Sequence, residues 1–506
     1  MKKYVLESVV FVCGATVMIY ELVGSRVVAP YLGTSLVVWT SLIGVILGSL
    51  SVGYWYGGKI SDKEADVKTL SHIIFLAGIL IGLTAFLYYD LLFLIDDLIR
   101  NLIAKSIVAT LLLFAAPSFL LGIVSPYAVK LKAKDLSTMG KTVGSLYAVS
   151  TTGSIVGTFL AGFFLIPQFG TNSMLTMLSS VLIISSIACL PKRYLKEKIA
   201  ALAVSVFFIG VGGLLHDAYV VKDYIVDIDT QYGRVQIRDV SLGAINTKLS
   251  DSAKIARIMK INGSLSSGIL LDDSDLYFPY TKYFRLAGHF KADIEHSLMI
   301  GGAGYAYPMD YITKHGGATL DVVEIDAKLT ALAKEHFNLT DDKKLRIFHE
   351  DGRAFINNTA IMYDVIFIDA FSSYFSIPHH LTTIESIRRM YALLNEDGVV
   401  LVNIISSIEG VKSNFLRAEY WTFKSIFPHV YLFPVEDPLD GEKIQNIMLV
   451  ALKSKKKPIL TSSDPTLNAY LGHLWKKEIT ADVPILSDDY APVDYYISKM
   501  LLQWHT

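Results

Sequence analysis

The chain has 506 residues, of which 52% are hydrophobic and 18% charged, and its mean hydropathy is +0.44. An ordinary soluble protein is about 25% charged, so a large part of this chain avoids water, and a net charge of −1 gives none of the basic excess that marks nucleic-acid binding. The two cysteines, Cys13 and Cys189, both lie in apolar runs, which argues against a disulfide framework or a cysteine zinc site; no metal is expected.

The opening stretch MKKYVLESVVFVCGATVMIYELVG has the look of a signal peptide. It runs into further apolar segments without a small-residue cleavage pattern, and reads as a first membrane helix. A spanning helix needs about 20 mostly apolar residues. About seven segments qualify: 5–25, 36–57, 71–89, 106–129, 143–166, 172–190 and 198–215. Small residues recur within them, as in GVILGSLSVGYWYGG and YAVSTTGSIVGTFLAGF, and point to close helix packing rather than to a transport path. Glu21 and Arg26, near the end of the first span, are expected to pair or to reach the interface, because a lone charge in hydrocarbon is costly. Residues 90–105, DLLFLIDDLIRNLIAK, carry too many charges to span and suggest an interfacial amphipathic helix.

Lysines and arginines cluster after the second, fourth and sixth spans (Lys59, Lys63 and Lys68; Lys130, Lys132, Lys134 and Lys141; Lys192, Arg193, Lys196 and Lys198). The positive-inside rule assigns these loops to the cytoplasm. Seven spans would then carry the C-terminal part outside, whereas the cytoplasm is the side expected here. The expected layout is a helical membrane domain (1–216), a small β-sheet (217–290) and a Rossmann-like doubly wound α/β domain (291–506).

In the soluble part, YIVDIDTQYGRVQIRDV, AKIARIMKINGS and GILLDD alternate as short strands do. After a helical stretch near 275–290 comes a regular alternation. HSLMI reads as a strand, GGAGYAYP as a turn, TLDVVEID as a strand and DAKLTALAKEHF as a helix. Three further strands follow, in KLRIFHED, YDVIFIDAF and GVVLVNII. This pattern predicts a doubly wound parallel sheet, which binds ligands at the carboxyl ends of its strands. Gly301, Gly302 and Gly304 sit at the first of those ends, where backbone can approach a ligand closely. Glu324 ends the second strand, at about the 20-residue spacing of an acid that binds ribose hydroxyls. Asp351-Gly352 ends the third, where an acid can accept from an adenine amino group, and Asp369 ends the fourth. Four such ends point to an adenosyl site; helix capping alone is the plainer alternative. The turn lacks the GxGxxG form of a dinucleotide oxidoreductase.

With these residues in place, 222–455 resembles the spermidine synthase (polyamine aminopropyltransferase) family, and the whole chain its membrane-integral branch. The first likeness rests on IGGAG (300–304) for the family's GGGDG turn, VEID, EDG, IDAF, TQYG (230–233) and DLYFPYTKYF (275–284). The second rests on ELVGSRVVAPYLGTSLVVW and GSLYAVSTTGSIVGTFLAGFFLIPQFGT. The resemblance implies an S-adenosylmethionine-type co-substrate, decarboxylated or intact, held by Gln231, Gly301, Gly302, Gly304, Glu324, Asp326, Asp351 and Gly352. It implies an amine acceptor against Tyr232, Asp275 and Tyr280, Asp369 as the catalytic acid, a polyamine as partner, and a homodimer by analogy with soluble relatives. The chain departs from the family where the turn's acid becomes Gly304, where a second acid becomes Ser372, and where the residue after the tyrosine is Thr281. Aminopropyl transfer to a polyamine, releasing methylthioadenosine, is the leading expectation. Lyase, methyl-transfer or alkyl-transfer chemistry on intact S-adenosylmethionine is the first alternative. A transporter or nucleoside sensor is the second, disfavoured by the few charges within the spans.

Overall fold

The computed structural model describes residues 4–63, 65–99, 101–133, 135–190, 224–241, 254–273, 275–370 and 377–502, and isolated positions 194, 196, 200 and 203. The chain forms two units, Met1–Arg234 and Val235–Thr506.

In the first unit, six helices among the described residues are long and apolar enough to cross a membrane: α1 (Val5–Leu32), α2 (Leu36–Ser61), α3 (Val67–Leu98), α4 (Leu102–Lys132), α5 (Met139–Gln168) and α6 (Thr171–Cys189). The expected seventh, 198–215, lies outside the described residues apart from positions 200 and 203. Residues 90–105 do not form a separate interfacial helix. Residues 90–98 continue α3 and 102–105 open α4, because no glycine or proline interrupts the run at Tyr89-Asp90. Asp96, in the last turn of α3, pairs with Lys105 near the start of α4. Arg26 does not pair with Glu21; its guanidinium donates to the backbone carbonyls of Thr230 (2.8 Å) and Gln231. The small residues act in packing: a Cβ on Gly153 of α5 would lie 2.1 Å from the Phe11 carbonyl oxygen of α1, so these two helices touch through backbone.

Two π-helical turns among the described residues, Leu111–Ala115 and Ala161–Leu165, immediately precede a proline-containing turn, at Pro117 and Pro167. Proline has no N–H and clashes with the carbonyl four residues back. For Pro117 that carbonyl is Leu113, and in an apolar bundle it needs another donor. Tyr20 supplies one from α1 (2.9 Å) and Thr84 another from α3 (3.2 Å). Combining Tyr20→Phe with Thr84→Val is expected to cost about 1–3 kcal/mol, the penalty of one buried unpaired acceptor. Thermal unfolding in detergent would show this, and an unchanged midpoint would contradict it.

A short strand, β1 (Val226–Asp229), lies near the end of the first unit. In the second, β2 (Arg234–Ser241), β3 (Ile255–Ile261) and β4 (Ser264–Leu270) form an antiparallel meander. The β3–β4 turn is Asn262-Gly263, both at positive φ (47° and 78°), as a tight hairpin requires.

The main sheet comprises β5 (His296–Ile300), β6 (Thr319–Val323), β7 (Leu345–Phe348), β8 (Tyr363–Ile368), β9 (Leu394–Ser406), β10 (His429–Pro434) and β11 (Gln445–Leu452). Their order is β10-β11-β9-β8-β5-β6-β7. Strands β5 to β9 are parallel, as the alternation predicts. The β10–β11 hairpin adds antiparallel strands beyond β9, so the seven-stranded Rossmann-like sheet is mixed rather than wholly parallel. All six residues of β8 are buried, as in a strand covered on both faces. The chain runs outward from β5 to β7 and returns as β8 on the other side of β5. That reversal is the switch point at which such sheets open a ligand crevice.

Candidate active site

Gly301 and Asp369 follow the two strands flanking the switch point, and they touch. The Asp369 amide donates to the Ile300 carbonyl (2.9 Å), and a Cβ on Gly301 would stand 2.5 Å from the Asp369 carbonyl oxygen. Gly301 also has φ +96°, so glycine is required here on two counts. A cleft of about 630 Å³ opens beside them, lined by the glycine-rich turn, Tyr277–Thr281, one face of β2–β3 and the ends of β9 and β11.

Within the cleft, Asp369 is the centre of a polar chain. The Tyr280 hydroxyl donates to Asp369 Oδ2 (3.2 Å) and the Asn403 amide to Oδ1 (3.0 Å). Asn446 donates in turn to Asn403 Oδ1 (3.0 Å). Burial pushes the Asp369 carboxyl up to about 6, against the opposing pull of the Asn403 and Tyr280 hydrogen bonds. Burial, reinforced by the Asp369 carboxylate, holds the Tyr280 hydroxyl well above the ordinary tyrosine range, so it remains a donor.

The acids at the other strand ends hold backbone. Glu324, 6% exposed, accepts from the amides of Gly302 (2.9 Å) and Ala303 (3.0 Å) through Oε2, and from Asp326 (3.0 Å) through Oε1. Asp326 caps helix Ala327–His336 through the Lys328 amide (3.0 Å). Asp351 caps helix Gly352–Asn358 through the Ala354 amide (2.9 Å) and lies 3.3 Å from His380 Nε2. Gly352 packs on Ile300, whose Cγ2 would be 2.6 Å from an added Cβ. Gly304 faces β4, where a Cβ would be 2.5 Å from Ser267 Oγ; serine fills the room an acidic side chain would need.

Gly301, Gly302, Tyr280 and Asp369 line one cleft, and Glu324 braces its turn. Asp275 is not among the lining residues. It pairs with Lys282 and with Arg285 (2.9 Å), and these partners outweigh burial to hold its carboxyl at about 2. Gln231 and Tyr232 belong to the first unit, in the turn where the Thr230 amide donates to the Gly233 carbonyl (2.8 Å). Ser372 lies outside the described residues. Arg353 is engaged by Asp488 (2.8 Å) and by the His380 carbonyl (2.9 Å), which ties the C-terminal segment to the end of β7. Asn403, Asn446, Arg238, Lys260 and Ser267 also line the cleft and belong to none of the family motifs above. Asn403 alone carries a local signal, as the one amide in the apolar run VVLVNII.

The family model for the spermine/spermidine synthase domain matches residues 281–450. A polyamine aminopropyltransferase of Vibrio vulnificus is 28% identical over 187 residues, 36% of this chain and 60% of that protein. An N-terminal histidine N-methyltransferase of Emericella nidulans is 32% identical over 188 residues, 36% of this chain and 32% of that protein. The chain thus spans less than two thirds of the length of these relatives. Among solved structures, the spermidine synthase of Thermotoga maritima aligns over 55% of this chain and 87% of its own, with 17% identity and a TM-score of 0.38. Residues 281–450 thus match the spermine/spermidine synthase domain model, and among the described residues they follow six helices long and apolar enough to cross a membrane.

Proposed function

We propose that the chain is a membrane-bound transferase that moves an alkyl group from an adenosyl sulfonium to an amine. Aminopropyl transfer from decarboxylated S-adenosylmethionine to a polyamine is the reaction its family points to. The amine lone pair attacks the carbon beside the sulfonium, the C–S bond breaks towards sulfur, and neutral methylthioadenosine leaves. The nitrogen's proton passes to Asp369, or Asp369 orients the amine as it departs. The placement of Asp369 at the switch point, held by Tyr280 and Asn403 and facing the glycine-rich turn, carries this reading. Glu324 and Asp351 would serve the ribose and adenine sides, and the cleft would hold the reactants in line.

The test is to incubate the purified chain with decarboxylated or intact S-adenosylmethionine, with and without putrescine, agmatine or spermidine, and to follow products by mass spectrometry. Methylthioadenosine that depends on an amine is expected; no turnover with any pair would refute the transferase. Methyl transfer is the second reading, supported by the Emericella relative, and would give the demethylated nucleoside S-adenosylhomocysteine instead.

We place the soluble domain on the cytoplasmic side of the bilayer. Six candidate crossings among the described residues, with the lysine-rich loops inside, support this. Labelling of Lys456→Cys by a membrane-impermeant reagent only after the cytoplasmic face is opened is expected, and a seventh crossing would reverse the result. A homodimer completes the proposal, to be read by mass photometry in nanodiscs.

A further inference from the structure

An amine acceptor and an aminopropyl tail are both cationic, and a cleft built for them alone should be lined by acids. One wall of this cleft is basic. In the β2–β3 register Arg238 stands opposite Ile258 and Lys260 opposite Gln236. Arg238 and Lys260 are therefore diagonal neighbours on one face of the meander, and both line the cleft. Lys260 has no acidic partner among the described residues, and burial together with the nearby Arg238 guanidinium presses its ammonium below the ordinary lysine range. Two cations held side by side in a cleft favour an anion between them. In the glycine-rich turn the expected acid is replaced by Gly304, where an added Cβ would lie 2.5 Å from Ser267 Oγ on β4. Asp369 and Glu436 remain as acids, so the lining presents both signs. An amino-acid tail, with an ammonium and a carboxylate, matches such a wall better than an aminopropyl chain does.

We propose that Arg238 and Lys260 bind a carboxylate, carried either by the methionine tail of intact S-adenosylmethionine or by an amino-acid-type acceptor. This rests on the adenosyl-sulfonium reading above.

Titration calorimetry on the full chain in nanodiscs tests it, with intact S-adenosylmethionine, its decarboxylated form and methylthioadenosine as probes. Intact S-adenosylmethionine is expected to bind at least tenfold more tightly than the decarboxylated form. Lys260→Gln should abolish that preference, Lys260→Arg should keep it, and methylthioadenosine, which has no carboxylate, should bind all three proteins alike. Methylthioadenosine also checks that each variant is folded. Equal binding of the two sulfonium forms, with glycine- or glutamate-class amines alkylated by the wild type and not by Lys260→Gln, would assign the carboxylate to the acceptor. Neither effect, with methylthioadenosine still bound, would overturn the carboxylate site and leave the transferase standing. Loss of all nucleoside binding in the wild type would overturn both.

Discussion

Asp369→Asn is expected to lower turnover by about 10²–10⁴-fold, the usual worth of a positioned proton acceptor, while nucleoside affinity stays unchanged. Asparagine keeps the size of the side chain and can still meet Tyr280 and Asn403, so the cleft keeps its shape. What disappears is the charge and the capacity to take a proton. Burial raises the Asp369 carboxyl to about 6, so the group is protonated and inert below that pH. For the wild type, kcat/KM should therefore rise with pH through about 6, and this acid limb should vanish in the Asn variant. Turnover at the wild-type rate in Asp369→Asn would remove its catalytic role.

Glu324→Ala should weaken nucleoside binding more than tenfold, or about 1.4 kcal/mol, and lower thermal stability as well. Three backbone amides converge on this carboxylate, and each one left buried and unpaired costs about 1–3 kcal/mol. The turn it braces also holds Ala303 and Tyr305 at positive φ (42° and 57°), a conformation that side chains adopt only under constraint. A carboxylate offers about four acceptor directions, so after three amides roughly one remains for a ribose hydroxyl. Asp351→Ala, which removes a helix cap worth about 1 kcal/mol, should weaken binding by a comparable factor. Unchanged affinity in both variants would dismiss these acids as ligand contacts and leave them as structural caps.

The elements of this chain were legible because they are written locally. Apolar runs of about 20 residues mark the helices, and alternation marks β5 to β9 and the meander. The acids of VEID, EDG and IDAF were legible for the same reason, since each closes a strand. Other features depend on pairings between distant segments. Arg26 finds its acceptors some 200 residues later, at Thr230 and Gln231. Asn446 reaches Asn403 only through the register of an antiparallel hairpin that alternation alone did not predict. Arg238 and Lys260 become neighbours only when β2 and β3 pair. Acid-to-backbone bonds misled in another way: Glu324 and Asp351 stand where a ligand acid would, and they also satisfy amides, so position alone does not separate the two roles.

The carbonyl released by Pro117 has a consequence for assembly of the bundle. Its donors, Tyr20 and Thr84, lie on α1 and α3, which are synthesised before α4. When a chain emerges from its N-terminus, both hydroxyls are already in place as Leu113 arrives. The irregular helix need never face lipid with its acceptor bare. Circular permutation that makes α4 the leading helix would reverse this order, and should lower insertion yield far more than it lowers the stability of correctly assembled protein.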